Sequence, residues 1–201
     1  MDEERLRRQF AFLEEIDREK FITRQTYLTG AARLENDAEH AWHIAVMAAL
    51  LAEYANEPVD AGKVMLMLLI HDLVEIDAGD TWAYAGVPKE AQHEKEARGA
   101  DRLFGLLPDD QGRALRALWD EFEAGETAEA KFAHTLDNLQ PMMQNHMTGG
   151  QMWREKGVAL SQVKRRNART ADGSEALWAY AKKTFLAPHV GKELKDDGGF
   201  C

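Results

Sequence analysis

Val64–Asp80, VMLMLLIHDLVEIDAGD, is the stretch whose reading decides the fold. Seven apolar residues, Val64 to Ile70, run directly into His71-Asp72. Glu75 follows one helical turn later, and Asp80 follows Gly79. A helix that is apolar all round belongs at the centre of a protein. Ionisable groups at the end of such a helix cost several kcal/mol to bury, roughly, unless they are paired or coordinate a cation. The spacing therefore predicts a central helix over 60–76 whose end meets a metal, with further ligands supplied from elsewhere in the chain.

Outward from that helix the pattern is helical throughout. Leu6, Phe10, Leu13 and Ile16 recur at three- and four-residue steps and predict a helix over 3–20. Residues 21–37 lose this period and read as a loop that carries Arg24 and Arg33. Asp37, or a neighbour, caps a helix over 37–54 whose inner face holds His40, Ile44, Met47 and Leu51. An isolated histidine there is ordinarily a core residue, so His40 gains weight as a ligand only beside the other candidates. Residues 77–88 read as irregular, and Pro88 suits the first position of a charged helix over 88–104.

Further helices are expected over 109–123, 128–146, 151–168 and 174–187, with Pro141 kinking or shortening the 128–146 helix. No strand pattern stands out. The expectation is an all-α single domain over 1–190, followed by a disordered tail, 191–201.

Composition agrees. Aromatic residues are 8% of the 201-residue chain, hydrophobic residues are 45%, and there are only 5 prolines. The net charge of -10 argues against a nucleic-acid polymer as partner. It still permits an anionic small molecule, because a metal and a few arginines reverse the field locally. The one cysteine, Cys201, excludes an intrachain disulfide and suits a reducing compartment. The segment MDEERLRRQF is too charged for a secretory leader, and no apolar run nears the ~20 residues of a membrane span. A cytoplasmic protein is expected.

His40, His71, Asp72 and Asp137 lie on three expected helices. Two imidazoles and two carboxylates suit one divalent ion such as Co, Mn, Fe, Mg, Ni or Zn. Facing helices that point ligands inward are how helical bundles build such sites. Glu75 projects beside them and could take a proton from water.

The combination of ENDAEHAWH around His40, HDLVEIDAGD from His71, VPKEAQHEKEA, and TAEAKFAHTLDNLQP around Asp137 resembles the HD-domain superfamily of metal-dependent phosphohydrolases. The likeness is strongest to its 5′-deoxynucleotidase branch. It implies an HD helical bundle with one divalent metal on His40, His71, Asp72 and Asp137. It also implies Glu75 assisting the nucleophilic water, Asp80 acting near the sugar, Arg24 clamping the phosphate with Arg33 as a second candidate, and a homodimer. The expected reaction is hydrolysis of a (deoxy)nucleoside 5′-monophosphate. The chain departs from the branch at Gln25, where a tryptophan that helps select deoxyribose is expected.

Two rival readings stand beside this one. A non-catalytic nucleotide- or metal-binding protein would keep the same ligands. A di-iron HD oxygenase would need extra histidines for a second metal, and His93 and His134 lie in the right interval. The aromatic residues Trp153, Trp178, Tyr180 and Phe185 are expected to serve the core rather than an interface.

Overall fold

The structure, a computed structural model, describes residues 2–30, 32–79 and 89–198. It is helical, as expected. Helix α1 (Glu3–Ile16) opens at Asp2, whose carboxylate accepts the Arg5 amide at 3.0 Å. Helix α2 (Asp37–Leu51) starts in a reciprocal cap, in which Asn36 accepts from the Glu39 amide and Glu39 accepts from the Asn36 amide. The cap is thus Asn36. Asp37 is the first helical residue, and it is fully buried.

Helix α3 (Ala61–Ile70) is capped by Asp60. The short α4 (Glu75–Ala78), α5 (Lys89–Phe104), α6 (Asp109–Ala124) and α7 (Ala128–Met147) follow. Helices α8 (Gln151–Lys156), α9 (Leu160–Arg166) and α10 (Glu175–Ala181) complete the chain.

The core forms where α2, α3 and α7 meet, around Ile44, Met67, Leu68, Phe132 and Leu136. A second cluster joins Phe12, Ile70, Leu73, Phe104 and Trp119. Pro141 does not end α7, although a proline can donate no hydrogen bond to the carbonyl one turn back. No helix among the described residues is long and apolar enough to cross a membrane.

Several expectations are corrected. The central helix stops at Ile70 instead of running to 76, because the chain tightens into turns there, with the Glu75 amide on the Asp72 carbonyl at 2.9 Å. It is also not buried all round, since Leu66 and Leu69 are exposed. Helix α1 buries Phe12 and leaves Leu6, Phe10 and Leu13 exposed. The cause is Arg8, whose guanidinium donates to the carbonyls of Gly105, Leu106 and Leu107 beyond the end of α5 and so fixes the rotation of α1.

The loop 21–37 contains a small antiparallel hairpin, β1 (Thr23–Tyr27) and β2 (Leu34–Asn36). Its strands are too short and polar to show an alternating pattern. The expected 151–168 helix breaks at Gly157, which has φ 63°. Beyond it, residues 158–160 pair with Lys195: the Leu160 amide donates to the Lys195 carbonyl at 2.9 Å, and the Lys195 amide to that of Val158 at 3.0 Å. Leu194 is therefore fully buried, so this part of the expected tail is packed. Trp153 is core, whereas Tyr180 is exposed.

The short segment before α10 is locked to the link between α2 and α3 and to α7. The Asn56 amide donates to the Gly173 carbonyl at 2.9 Å, and Thr135 Oγ1 donates to the Thr170 carbonyl at 2.8 Å. A Cβ at Gly173 would collide with the Lys131 carbonyl and the Thr135 hydroxyl. Gly173→Ala is expected to cost about 1–3 kcal/mol and lower the melting temperature by several degrees. Thermal unfolding followed by circular dichroism checks this, and an unchanged midpoint would mean that α7 gives way at no cost.

Candidate metal and phosphate site

Helices α2, α3 and α7 each bring one end of a ligand set to the same buried point. His40 sits on the first turn of α2, His71 and Asp72 sit in the turn after α3, and Asp137 lies midway along α7. His40 Nε2 is 3.1 Å from Asp137 Oδ1. His71 Nε2 is 3.0 Å from Asp72 Oδ2 and 3.8 Å from Asp137 Oδ1. Ligand atoms of His40, His71 and Asp72 lie within 4.8 Å of one another. The break at Ile70 matters here, because adjacent residues in a continuous helix point about 100° apart.

The second nitrogen of each imidazole is already committed. His71 Nδ1 lies 2.8 Å from the Leu68 carbonyl, which can only accept. His40 Nδ1 lies 3.0 Å from Gln140 Oε1, and the Gln140 amide donates to Glu35 Oε1 at 2.6 Å. Both Nδ1 atoms therefore carry a proton, which leaves Nε2 of each ring as the atom that faces the carboxylate oxygens. His71 Nε2 is buried and makes no hydrogen bond, although Asp72 Oδ2 is close: the distance fits and the direction does not. The two Nε2 atoms converge with the Asp72 and Asp137 carboxylates, and with Nε2 deprotonated this donor set fits a divalent metal ion.

Electrostatics separates the two histidines. Burial, followed by the Arg24 charge, pushes His40 down to about 4. Burial also opposes charge on His71, but Asp72 and Asp137 outweigh it and raise its pKa well above the ordinary value. Burial would raise Asp137 as well, yet His40, His71 and the Arg166 charge beside it hold it well below the usual carboxylate range.

The hairpin delivers Arg24 to this point. Its Nη1 donates to Asp72 Oδ2 at 2.6 Å and to Asp37 Oδ1 at 3.0 Å. Burial, then Asp72, pushes the Asp37 carboxyl up to about 7, against the lowering effect of Arg24 and Glu75 beside it. Glu19 and Glu35 are also pushed up to about 7, each chiefly by burial.

All four expected ligands are thus brought together, with Arg24 and Glu75 beside them. Arg33 is not brought there: it is exposed, and its Nη1 is held by Glu39 Oε2 at 2.8 Å. Asp80 and Pro88 lie outside the described residues. His134 Nε2 donates to the Phe122 carbonyl at 2.7 Å, and His93 lies against Glu123, so neither joins the four-ligand group.

Sequence reasoning missed Asp37 as more than a cap, and it missed Glu19, Glu35, Gln140 and Arg166. Gln140 was findable, because it lies three residues after Asp137 on the same helical face. Arg166, whose Nη2 is 3.3 Å from Asp137 Oδ2, sits in a basic run that gives no such signal.

The HD domain family model matches residues 16–178. This chain belongs to the HD domain family. The 5′-deoxynucleotidase HDDC2 of Homo sapiens is 31% identical over 112 residues, which is 56% of this chain and 53% of that protein. The 5′-deoxynucleotidase hdd1 of Schizosaccharomyces pombe is 26% identical over 139 residues, 66% of this chain and 68% of that one. The chain thus spans about half the length of the human relative it matches. A crystal structure from Magnetospirillum magnetotacticum, described as a predicted metal-dependent phosphohydrolase, superposes with a TM-score of 0.84 at 52% identity. That match covers 90% of this HD-domain chain and 91% of the other.

Gln140 holds the His40 tautomer and is itself held by Glu35. Gln140→Leu removes the acceptor for His40 Nδ1 and is expected to weaken metal binding about 10–100-fold with the fold retained. Metal titration of the stripped protein reads this directly. Equal affinity would show that the His40 ring is set by packing alone.

Proposed function

We propose that this chain is a metal-dependent phosphohydrolase that cleaves a (deoxy)nucleoside 5′-monophosphate to nucleoside and phosphate. The observation that carries the reading is the convergence of His40, His71, Asp72 and Asp137 with the buried Arg24 guanidinium against the same carboxylates. Relatives named 5′-deoxynucleotidases support the substrate class.

A divalent cation on the four ligands would supply Lewis acidity toward phosphate oxygens and lower the pKa of water. The chain's own residues do the rest. Arg24, buried and doubly hydrogen-bonded, is a preorganised positive charge for the equatorial phosphate oxygens. Arg166 is held against Asp137 from the outside and is 45% exposed, so it can turn onto an incoming phosphate. Glu75, beside Asp37, can accept the proton that water loses as the new P–O bond forms. The P–O5′ bond breaks, and the 5′-oxygen leaves as the hydroxyl after taking a proton from solvent water, to which Glu75 returns the one it accepted.

Gln25 stands on β1 beside Arg24, half-buried, where it can border the sugar. The cytoplasmic setting and the homodimer implied by the resemblance belong to the same proposal.

Phosphate release from ribo- and deoxyribonucleoside 5′-monophosphates, with each of Co, Mn, Mg, Fe and Zn restored to stripped protein, tests this reading. The His71→Ala/Asp72→Ala protein is the control. Release by the wild type that the control lacks is expected, and silence across the panel with metal bound would reject the substrate class.

Glu75→Gln should lower kcat by about 10²–10⁴-fold while metal still binds. Unchanged turnover would remove Glu75 from proton transfer. Arg166→Ala should lower kcat/KM about 10–100-fold, the size expected for one lost charge-assisted hydrogen bond to phosphate. Steady-state kinetics checks it, and an unaltered kcat/KM would leave Arg24 as the only guanidinium on the phosphate.

A further inference from the structure

A second group of side chains able to ligate a metal stands where α5 packs against α6. His93 and Glu96 are one turn apart on α5, and Glu123 faces them from the last turn of α6. Ligand atoms of the three lie within 4.8 Å of one another. His93 Nδ1 is 3.3 Å from Glu123 Oε2. Gln92 donates to Glu96 Oε1 at 2.8 Å and so orients that carboxylate.

The histidine is not a loose surface group. Its ring lies parallel to Trp119, with centroids 6.0 Å apart and planes 8° apart. Trp119 is buried, and its Nε1 donates to the His71 carbonyl at 3.2 Å. Burial, then the neighbouring Glu96 charge, holds the Glu123 carboxyl above its usual range. Two carboxylates are thus held close together at the junction of two helices, with an imidazole completing a face.

We propose that His93, Glu96 and Glu123 form a second divalent-cation site that clamps α5 to α6. One imidazole and two carboxylates suit a borderline ion of the Zn²⁺ or Mn²⁺ kind, and their two negative charges balance the cation. Three protein ligands leave positions for water, in keeping with the part-exposed setting. The ion's ligand His93 rests on the indole that holds the His71 carbonyl, so the clamp braces the wall behind His71. This site takes no part in the four-ligand group and does not depend on the phosphohydrolase reading.

The test uses crystals of the full chain equilibrated with Zn²⁺, with anomalous diffraction recorded at the zinc edge. Zinc content of the dialysed protein in solution is measured in parallel. The expected result is an anomalous peak bounded by His93, Glu96 and Glu123, and a loss of one zinc equivalent in Glu96→Gln/Glu123→Gln protein. Circular dichroism confirms that this variant is folded, and His93→Ala serves as a second variant. Zinc at His71 and Asp72 but not at this triad would overturn the proposal, as would a peak that survives in the double variant. Zinc at the triad alone would support it while removing the metal premise of the hydrolase reading. Zinc at neither would overturn both.

Discussion

The structure depends on holding too many carboxylates in one buried place. Asp37, Asp72, Asp137, Glu19 and Glu35 crowd around two imidazoles, and Arg24 is the one guanidinium inside with them among the described residues. At an effective dielectric constant of about 20, a like-charge pair 4 Å apart costs about 4 kcal/mol. A single arginine cannot offset that. The chain answers in two ways. It lets the more remote acids rise to about 7, where protons neutralise them, and it keeps Asp72 and Asp137 ionised by facing them with His71, His40 and arginine. Acids that can give up their charge surround acids that cannot, and the second kind are the proposed metal ligands.

The scaffold exists to fix that geometry. Helices α2, α3 and α7 pack through apolar side chains, and each presents ligands at one end of the shared core. The stop after Ile70 turns His71 and Asp72 toward one point, while Leu68 and Trp119 hold the His71 ring and backbone. Phe122 closes the site from the side, with its ring edge-on to His71 at 5.0 Å. Such packing keeps water off the imidazole faces and lowers the local dielectric, which strengthens every charge interaction inside.

Much of this was legible in sequence, because apolar periodicity and ionisable residues conflict visibly. His71-Asp72 stands out at the end of an apolar run, whereas His40 and Asp137, on or beside apolar faces, gain weight only in combination with it and through the family resemblance. The end of the central helix was not legible. Periodicity continues through Ile76, and the turns at 71–74 are imposed by tertiary packing rather than by a proline or glycine. The hairpin was hidden for another reason: Thr23–Tyr27 carries too few apolar residues to alternate, and its register is set by contact with α7 and α8. Asp37 was mistaken for a cap because N-caps and buried acids at a first turn use the same residue types. The inward face of α1 was misjudged because Arg8, a charged residue, decides it through backbone carbonyls.

The same charge balance orders what can happen at the site. The chain as a whole is acidic, with a net charge of -10, and the group around Asp72 is acidic locally. A phosphate dianion approaching bare Asp72 and Asp137 would meet repulsion from both, with Arg24 already shared between Asp72 and Asp37. On the proposed function, binding energy for the phosphate would exist only once the carboxylates are matched by a cation, and then Arg24 and Arg166 would act on phosphate rather than on protein acids. Two arginines held against the proposed metal ligands would thus be placeholders as well as clamps. They keep carboxylates tolerable in the unliganded site, and the positive charge they contribute is the charge a phosphate would use.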